Sequence, residues 1–375
     1  MGKKVILVVF GTRPEAIKMA PVIKELKETF KVFICVTGQH REMLDQVLEV
    51  FNIRPDYDLN LMKRDQDLFD LTKNVLLKVK KVIEKFSPNL ILVHGDTTTA
   101  MATSIAAFYL KIPLGHVEAG LRTKNLYSPF PEEFNRQIIS KSTSLNFAPT
   151  KIAKRNLLDE GIKKDSIFVT GNTVIDALLE VSKDIDSHEF SSAVLNQCNF
   201  LKESSSKKII LVTGHRRENF GKGFQEICNG LLKLADRTDI QIIYPVHLNP
   251  NVKSIVLKLL SSKKNINLIK PLGYLDFVKL MKMSKIIITD SGGIQEEAPS
   301  LGKPVLVARD TTERPEGINS GILKLVGANS ERIASEVNNL LDNKEEYRKM
   351  ATSSNPFGDG KASSRISEAI KNFFS

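Results

Sequence analysis

The chain of 375 residues is 42% hydrophobic and 26% charged, and it exceeds the about 250–300 residues at which a single hydrophobic core stops growing, so two domains are expected. This composition excludes a disordered chain, a fibre and a coiled coil. The net charge of +11 divides into +4 over residues 1–187 and +7 over the rest. Apart from doublets such as Lys207-Lys208 and Lys263-Lys264 it forms no dense basic block with interleaved aromatics, which argues against a nucleic-acid partner.

No apolar run reaches the roughly 18 residues of a membrane span; the longest, around Ala100 to Leu110, is interrupted by Thr103 and Ser104. The opening MGKKVILVVFGTRPE has six apolar residues before Gly11, too few for a signal peptide and suited to a first buried strand. Cys35, Cys198 and Cys228 lie far apart without a CxxC pair, against a disulfide framework or a zinc site. The reading is a soluble cytoplasmic protein without a metal, and without a membrane partner.

Short β-branched apolar runs alternate with longer amphipathic ones, the pattern of βα units around a parallel sheet, and the series occurs twice. In the first half, strands are expected at 5–10, 32–36, 90–96, 114–119, 145–148 and 167–171. Helices are expected from about Arg13 to Glu28, from Asp67 to Phe86 before Ser87-Pro88, and from Thr97 to Leu110 before Pro113. Residues 184–206 lose the periodicity and collect Ser and Lys, which marks a domain boundary. The second series predicts strands at 208–214, 240–246, 266–270, 285–290, 304–308 and 323–327, then helices near 330–342, 345–352 and 362–374. The expected class is α/β, with Rossmann-like doubly wound domains over 1–187 and 206–360. The carboxyl ends of their sheets, where such sheets bind ligands, are expected to face a central cleft.

The unusual residues follow strands. FGTRPEAIKMAP puts Arg13 and Lys18 at a helix start, where backbone N–H groups already favour an anion; GxGxxG, the dinucleotide fingerprint, is absent. HGDTTT brings Asp96 to a strand end, as a cleft carboxylate or simply a helix cap. HVEAGLRT presents Glu118 at the next strand end, with Arg122 just beyond. SPFPEEFNR opens a helix with Glu132 and Glu133, one of which is expected only to complement the helix dipole.

In the second half TGHRRENFGKG lacks P-loop spacing, which leaves His215 as a donor or acid/base near an anion, or a core histidine. PVHLNP adds His247. TDSGGIQEEAPSLGKP reads as a strand, then Ser291, Gly292 and Gly293 allowing close backbone approach, then a helix, an arrangement that binds phosphate oxygens. Glu297 is placed to accept from ribose hydroxyls, and RDTTERPEG supplies Arg314 as an anion ligand. Phe277 either stacks on a base or packs in the core. No HExxH, Cys/His cluster or nucleophile elbow occurs, so metal hydrolysis and serine catalysis lack support. A nucleotide-phosphate cradle in one domain and carboxylates in the other suit a nucleotide-sugar.

These motifs, together with TGQHREMLDQVL, TGNTVIDAL, YPVHLNPNV and NPFGDGKAS, resemble the non-hydrolysing UDP-N-acetylglucosamine 2-epimerase family over about residues 5–370. The resemblance implies a GT-B fold whose final helix, 361–375, returns to the N-terminal domain. It also implies a homodimer and reversible conversion of UDP-GlcNAc to UDP-ManNAc with no cofactor. The family's substrate-binding positions fall on Arg13, Lys18, Asp96, Glu118, His215, Phe277, Ser291, Gly292, Gly293, Glu297 and Arg314. Leu272 stands where some relatives have Gln, leaving a backbone contact to uracil. A regulatory UDP-GlcNAc site is implied at Gln39, Glu42, Arg64, Glu132, Arg216 and His247, with Glu42 replacing the Gln of some members. The implied chemistry is anti elimination of UDP to 2-acetamidoglucal and re-addition, with Asp96 and Glu118 handling the C2 proton, Glu132 assisting, and His215 and the cations holding pyrophosphate. The alternatives are an epimerase of UDP-2,3-diacetamido sugars, a hydrolysing relative, a GT-B glycosyltransferase and an inactive UDP-sugar sensor.

Overall fold

The computed structural model describes residues 2–38, 41–61, 66–198, 201 and 207–375. Contacts divide the chain into two compact units, Met1–Ala177 with Phe357–Ser375, and Leu178–Pro356. Unit 1 carries β1 (Val5–Phe10), β2 (Lys31–Val36), β3 (Tyr57–Asp58), β4 (Leu90–His94), β5 (Leu114–Val117), β6 (Leu145–Ala148) and β7 (Ile167–Val169). They form one sheet in the order β3-β2-β1-β4-β5-β6-β7. Every pairing is parallel, from Val5 opposite Lys31 to Ala148 opposite Val169. The expected strands are all present. The short β3 was not foreseen, because two residues carry no readable periodicity; it is held by Cys35 opposite Tyr57.

Unit 2 repeats the plan with β8 (Lys208–Thr213), β9 (Ile240–Pro245), β10 (Ile266–Ile269), β11 (Ile286–Thr289), β12 (Val305–Val307) and β13 (Leu323–Leu325). Their order is β10-β9-β8-β11-β12-β13, again all parallel. Parallel sheets are covered on both faces, so their strands are apolar throughout. All five residues of β4 are buried, and Tyr244, Phe224 and Leu231 fill the core of unit 2. In each sheet the order reverses beside the first strand, between β1 and β4 and between β8 and β11. Loops leaving the carboxyl ends there are the natural ligand positions.

The division falls within helix Thr173–Asp184, not in the aperiodic 184–206 stretch, because the described part of that stretch is tied into unit 2. Asp276 accepts from the backbone N–H of Ser191 at 3.2 Å and its hydroxyl at 2.8 Å, and lies 3.1 Å from His188 Nε2. Lys282 Nζ reaches Asp186 at 2.8 Å. The low apolar content there marks polar anchoring to helix Tyr274–Met283.

The last helix, Ala362–Phe374, packs on helix Arg13–Thr29, and Phe374 lies 6.0 Å from Phe30. Its start is capped by a distant residue. Asp176 accepts from the N–H groups of Ala362 (3.2 Å) and Ser363 (2.8 Å) and from the Ser363 hydroxyl (2.6 Å). Asp176→Ala should remove about 1–2 kcal/mol from the anchoring of this helix. Hydrogen exchange at Ile366 to Phe374 should accelerate roughly tenfold while β8–β13 keep their protection, and unaltered exchange would show that the cap does not hold the helix.

Candidate functional site

In unit 1 the site grows from two strand ends. β4 closes on His94, Gly95 turns the chain at φ +65°, and Asp96 follows; β5 closes on Val117, and Glu118 takes the left-handed φ of +66°. That region costs a non-glycine residue on the order of 1 kcal/mol or more, and it persists only where surroundings over-determine it. Here they do. The buried carboxylate of Glu118 receives Lys18 Nζ at 2.5 Å and Asn172 Nδ2 at 3.0 Å. His94 Nε2 lies 3.1 Å from its other oxygen, without the alignment of a hydrogen bond. Burial pushes the Glu118 carboxyl up, but the charges of Lys18 and His94 outweigh it and hold the group well below the usual carboxylate range. Lys18, expected on an anionic ligand, thus directs its ammonium to Glu118.

The helix that delivers Lys18 is fixed by a capping box. Thr12 caps helix Arg13–Thr29, and Glu15 Oε2 accepts from the N–H groups of Thr12 (2.8 Å) and Gly11 (2.9 Å). Glu15 Oε1 accepts from the Thr97 hydroxyl at 2.8 Å, which joins the loop after β1 to the loop after β4. Arg13 is the first residue of that helix and half-buried.

Asp96 Oδ2 receives Arg136 Nη2 at 2.6 Å and Nε at 3.0 Å, and its backbone oxygen accepts from Asn135 Nδ2 at 2.8 Å. Arg136 Nη1 also reaches the buried Glu133 at 3.1 Å. Glu133 in turn accepts from the N–H groups of Thr123 (3.0 Å) and Lys124 (3.3 Å). Of the adjacent glutamates, Glu133 therefore organises the loop. Glu132 begins helix Glu132–Ser142, and its Oε2 is buried without a hydrogen-bond partner among the described residues.

In unit 2, fully buried Asp290 follows β11 and shapes the loop after β8. Its carboxylate accepts from the N–H groups of His215 (3.0 Å) and Arg216 (2.9 Å) and from Asn219 Nδ2 (3.2 Å). The His215 ring stacks on His247, with centroids 5.7 Å apart. Burial lowers the His215 pKa despite the opposing charge of Asp290, so its imidazole is largely neutral at pH 7.

The glycine pair leaves room for two of this chain's own side chains. A Cβ on Gly292 would stand 3.0 Å from the Arg314 guanidinium, and one on Gly293 would stand 3.3 Å from Glu297 Oε1. Arg314 Nε donates to buried Glu296 at 2.9 Å. Arg309, nearly buried, reaches Glu218 in the His215 loop and Glu313 beside Arg314 (2.6 Å), so one guanidinium ties both loops. Ser291 donates its N–H to Thr289 Oγ1 at 2.9 Å. Leu272 and Phe277 are half-buried at the start of helix Tyr274–Met283.

Arg216 and His247 belong to unit 2 and Glu132 to unit 1; Gln39, Arg64 and the side chain of Glu42 lie outside the described residues. Sequence reasoning missed His94, Arg136, Asn172, Asp290 and Arg309. His94 and Asn172 lie inside motifs already singled out, and Arg136 follows Glu132 by one helical turn. Asp290 and Arg309 also lie inside quoted motifs, TDSGGIQEEAPSLGKP and RDTTERPEG, but nothing in those motifs names the groups they bind. No group of His, Cys, Asp or Glu among the described residues is arranged to hold a metal, and no described helix is long and apolar enough to cross a membrane.

Unit 1 thus presents two carboxylates, Asp96 and Glu118, at neighbouring strand ends, and unit 2, taken by itself, presents His215 and Arg314 on loops that follow strands. A family model described as UDP-N-acetylglucosamine 2-epimerase matches residues 24–371. The chain belongs to that family. The UDP-N-acetylglucosamine 2-epimerase of Escherichia coli strain K12 is 55% identical over 370 residues, covering 98% of each chain. The crystal structure of UDP-GlcNAc 2-epimerase from Neisseria meningitidis, bound to UDP-GlcNAc, matches at 51% identity with a TM-score of 0.88, covering 98% of this chain and 100% of that one. The enzyme from Methanocaldococcus jannaschii, in complex with UDP-GlcNAc and UDP, matches at 37% identity with a TM-score of 0.80, covering 98% and 99%. As a UDP-N-acetylglucosamine 2-epimerase family member, the chain is an isomerase with the GT-B fold of two parallel-sheet α/β units.

The environment of Glu118 sets a pH dependence. Because its folded-state pKa is depressed, the stabilisation is complete above the ordinary carboxylate range and is lost as pH falls through the folded value. Carbon-13 titration should find Glu118 still ionised at pH 4. In Lys18→Met, burial is opposed mainly by His94, and the titration should move upward; identical curves would show that Lys18 does not set the charge state.

Proposed function

We propose that this chain interconverts UDP-GlcNAc and UDP-ManNAc by inverting C2. The C2 hydrogen is not acidic until positive charge develops at C1, and departure of UDP creates that charge. In the proposed step the C1–O and C2–H bonds break, a C1=C2 double bond forms, and the C2 proton passes to a carboxylate, giving 2-acetamidoglucal and UDP. Re-addition of UDP, with a proton delivered to the opposite face of C2, completes the inversion. Two faces require two proton-handling groups, each typically contributing a factor of about 100–10,000.

The observation that carries this reading is the pair of strand-end carboxylates, each in contact with its own cation: Glu118 with Lys18, and Asp96 with Arg136 at 2.6 Å. An ionised carboxylate can accept the C2 proton, and each cation is already placed to respond. Glu132, with an unpartnered buried oxygen, assists. Arg13, His215, Arg314 and the Ser291–Gly293 backbone hold the departing pyrophosphate; Glu297 takes the ribose hydroxyls, and Phe277 with the Leu272 backbone takes uracil. UDP-ManNAc then supplies bacterial surface polysaccharide. The family resemblance supports a cytoplasmic homodimer and UDP-GlcNAc regulation through Gln39, Glu42, Arg64, Glu132, Arg216 and His247.

The purified chain incubated in D2O with UDP-GlcNAc alone should yield UDP-ManNAc and place deuterium at C2 of both sugars by NMR. A glycosyltransferase would need an acceptor, a hydrolysing relative would release free ManNAc, and a sensor would leave C2 protiated. Asp96→Asn should slow exchange at least 100-fold with UDP binding intact; exchange at the parental rate would remove Asp96 from its role.

A further inference from the structure

Unit 2 has a concave feature at the opposite end of its sheet from the His215 and Ser291 loops. Lys208 is the first residue of β8, and Lys285, just before β11, donates its N–H to Ile209 O at 2.7 Å. Between these strand starts and helix Lys344–Thr352 lies a cavity of about 380 Å³. Its rim carries Lys208, Lys285, Lys344 and Arg348, its floor is built from Leu340 and Tyr347, and no Asp or Glu is among the described residues that line it. The volume lies in the small-ligand range of about 300–1,000 Å³.

The charges are crowded and weakly compensated. Lys208 has Asp239 at 3.2 Å, but Asp239 is shared with Arg237. Lys285 Nζ rests 3.4 Å over the Tyr347 ring centroid, and a ring face compensates a cation far less than a carboxylate does. Burial first, then the charge of Lys208, lowers the Lys285 pKa; Lys303 is lowered by burial, then by Lys285 and Lys282. A bound anion would relieve this mutual repulsion. Inorganic phosphate would leave the apolar floor uncovered, and a neutral apolar ligand would leave Lys285, Lys344 and Arg348 without an anion among the residues that line the cavity.

We propose that this cavity is a binding site for a small amphipathic anion, a phosphate monoester or carboxylate whose apolar body lies on Leu340 and Tyr347 while its charge meets Lys285, Lys344 and Arg348. The assignment is independent of the epimerase reading and accounts for part of the positive excess in the second half of the chain.

Calorimetric titration of the full chain, saturated with UDP, should detect one-to-one binding of phenyl phosphate or of benzoate, and whichever binds identifies the charged group. Binding should weaken at least tenfold in Lys285→Met/Arg348→Met and in Lys344→Glu, while deuterium exchange into UDP-GlcNAc stays at the parental rate. Lys344 is exposed at the first turn of its helix, where Glu suits the dipole, so that variant tests the site even where the double variant folds poorly. The proposal is overturned if neither probe binds, if affinity survives both variants, or if inorganic phosphate binds as tightly as phenyl phosphate.

Discussion

The contact between Lys18 and Glu118 is the constraint around which unit 1 is arranged. Glu118 sits in a left-handed conformation at the end of β5, buried, and Lys18 arrives from a helix 100 residues earlier. Removing one member of a buried ion pair costs on the order of 3–5 kcal/mol, whereas replacing the pair by apolar residues is often neutral. Such a pair is therefore poor evidence of stabilisation and good evidence of positioning. Three further connections serve it. The Glu15 capping box fixes the helix that carries Lys18; Thr97 links that box to the loop bearing Asp96. Asn172 holds Glu118 through its side chain while donating its backbone N–H to Phe357 O at 2.7 Å. The C-terminal segment thus supports the turn that grips the carboxylate.

Unit 2 solves a different problem with the same chemistry. There the buried charges lie beneath the loops: Asp290 gathers the N–H groups that start the His215 loop, and Arg309 bridges Glu218 and Glu313 from below. A loop fixed by charge-assisted bonds at its base can present His215 and Arg314 at its tip without further ordering, which suits recognition of a charged group. The exposed edge of the His215 ring and the partly buried Arg314 are the tips of these two assemblies.

The strands were legible because parallel strands covered on both faces read as unbroken apolar runs, and β3 was illegible because Tyr57-Asp58 is too short to have a pattern. Strand ends pointed to Asp96, Glu118, His215 and Ser291 because ligands of doubly wound sheets collect there. What surrounds each of them was not legible. Lys18 read as an anion ligand, since nothing local pairs it with Glu118; Arg309 drew no reading, since its partner Glu218 is 91 residues away. Gly292 and Gly293 signalled close approach, and the side chains nearest to them are Arg314 and Glu297. The aperiodic stretch after 184 looked like a linker because polar anchoring to Asp276 leaves no apolar period. Sequence periodicity records burial along one element, whereas the charge pairs join elements whose separation only the fold decides.

The helix capped by Asp176 also bears on synthesis. Unit 2 is one continuous stretch, Leu178–Pro356, but unit 1 is completed by residues from Phe357 onward. During translation unit 2 therefore has its full complement of residues first, while unit 1 must wait, with the face of helix Arg13–Thr29 uncovered, until helix Ala362–Phe374 has been made. The unit begun first is completed second, and the emergence of that helix is itself a step in assembling the surroundings of Glu118.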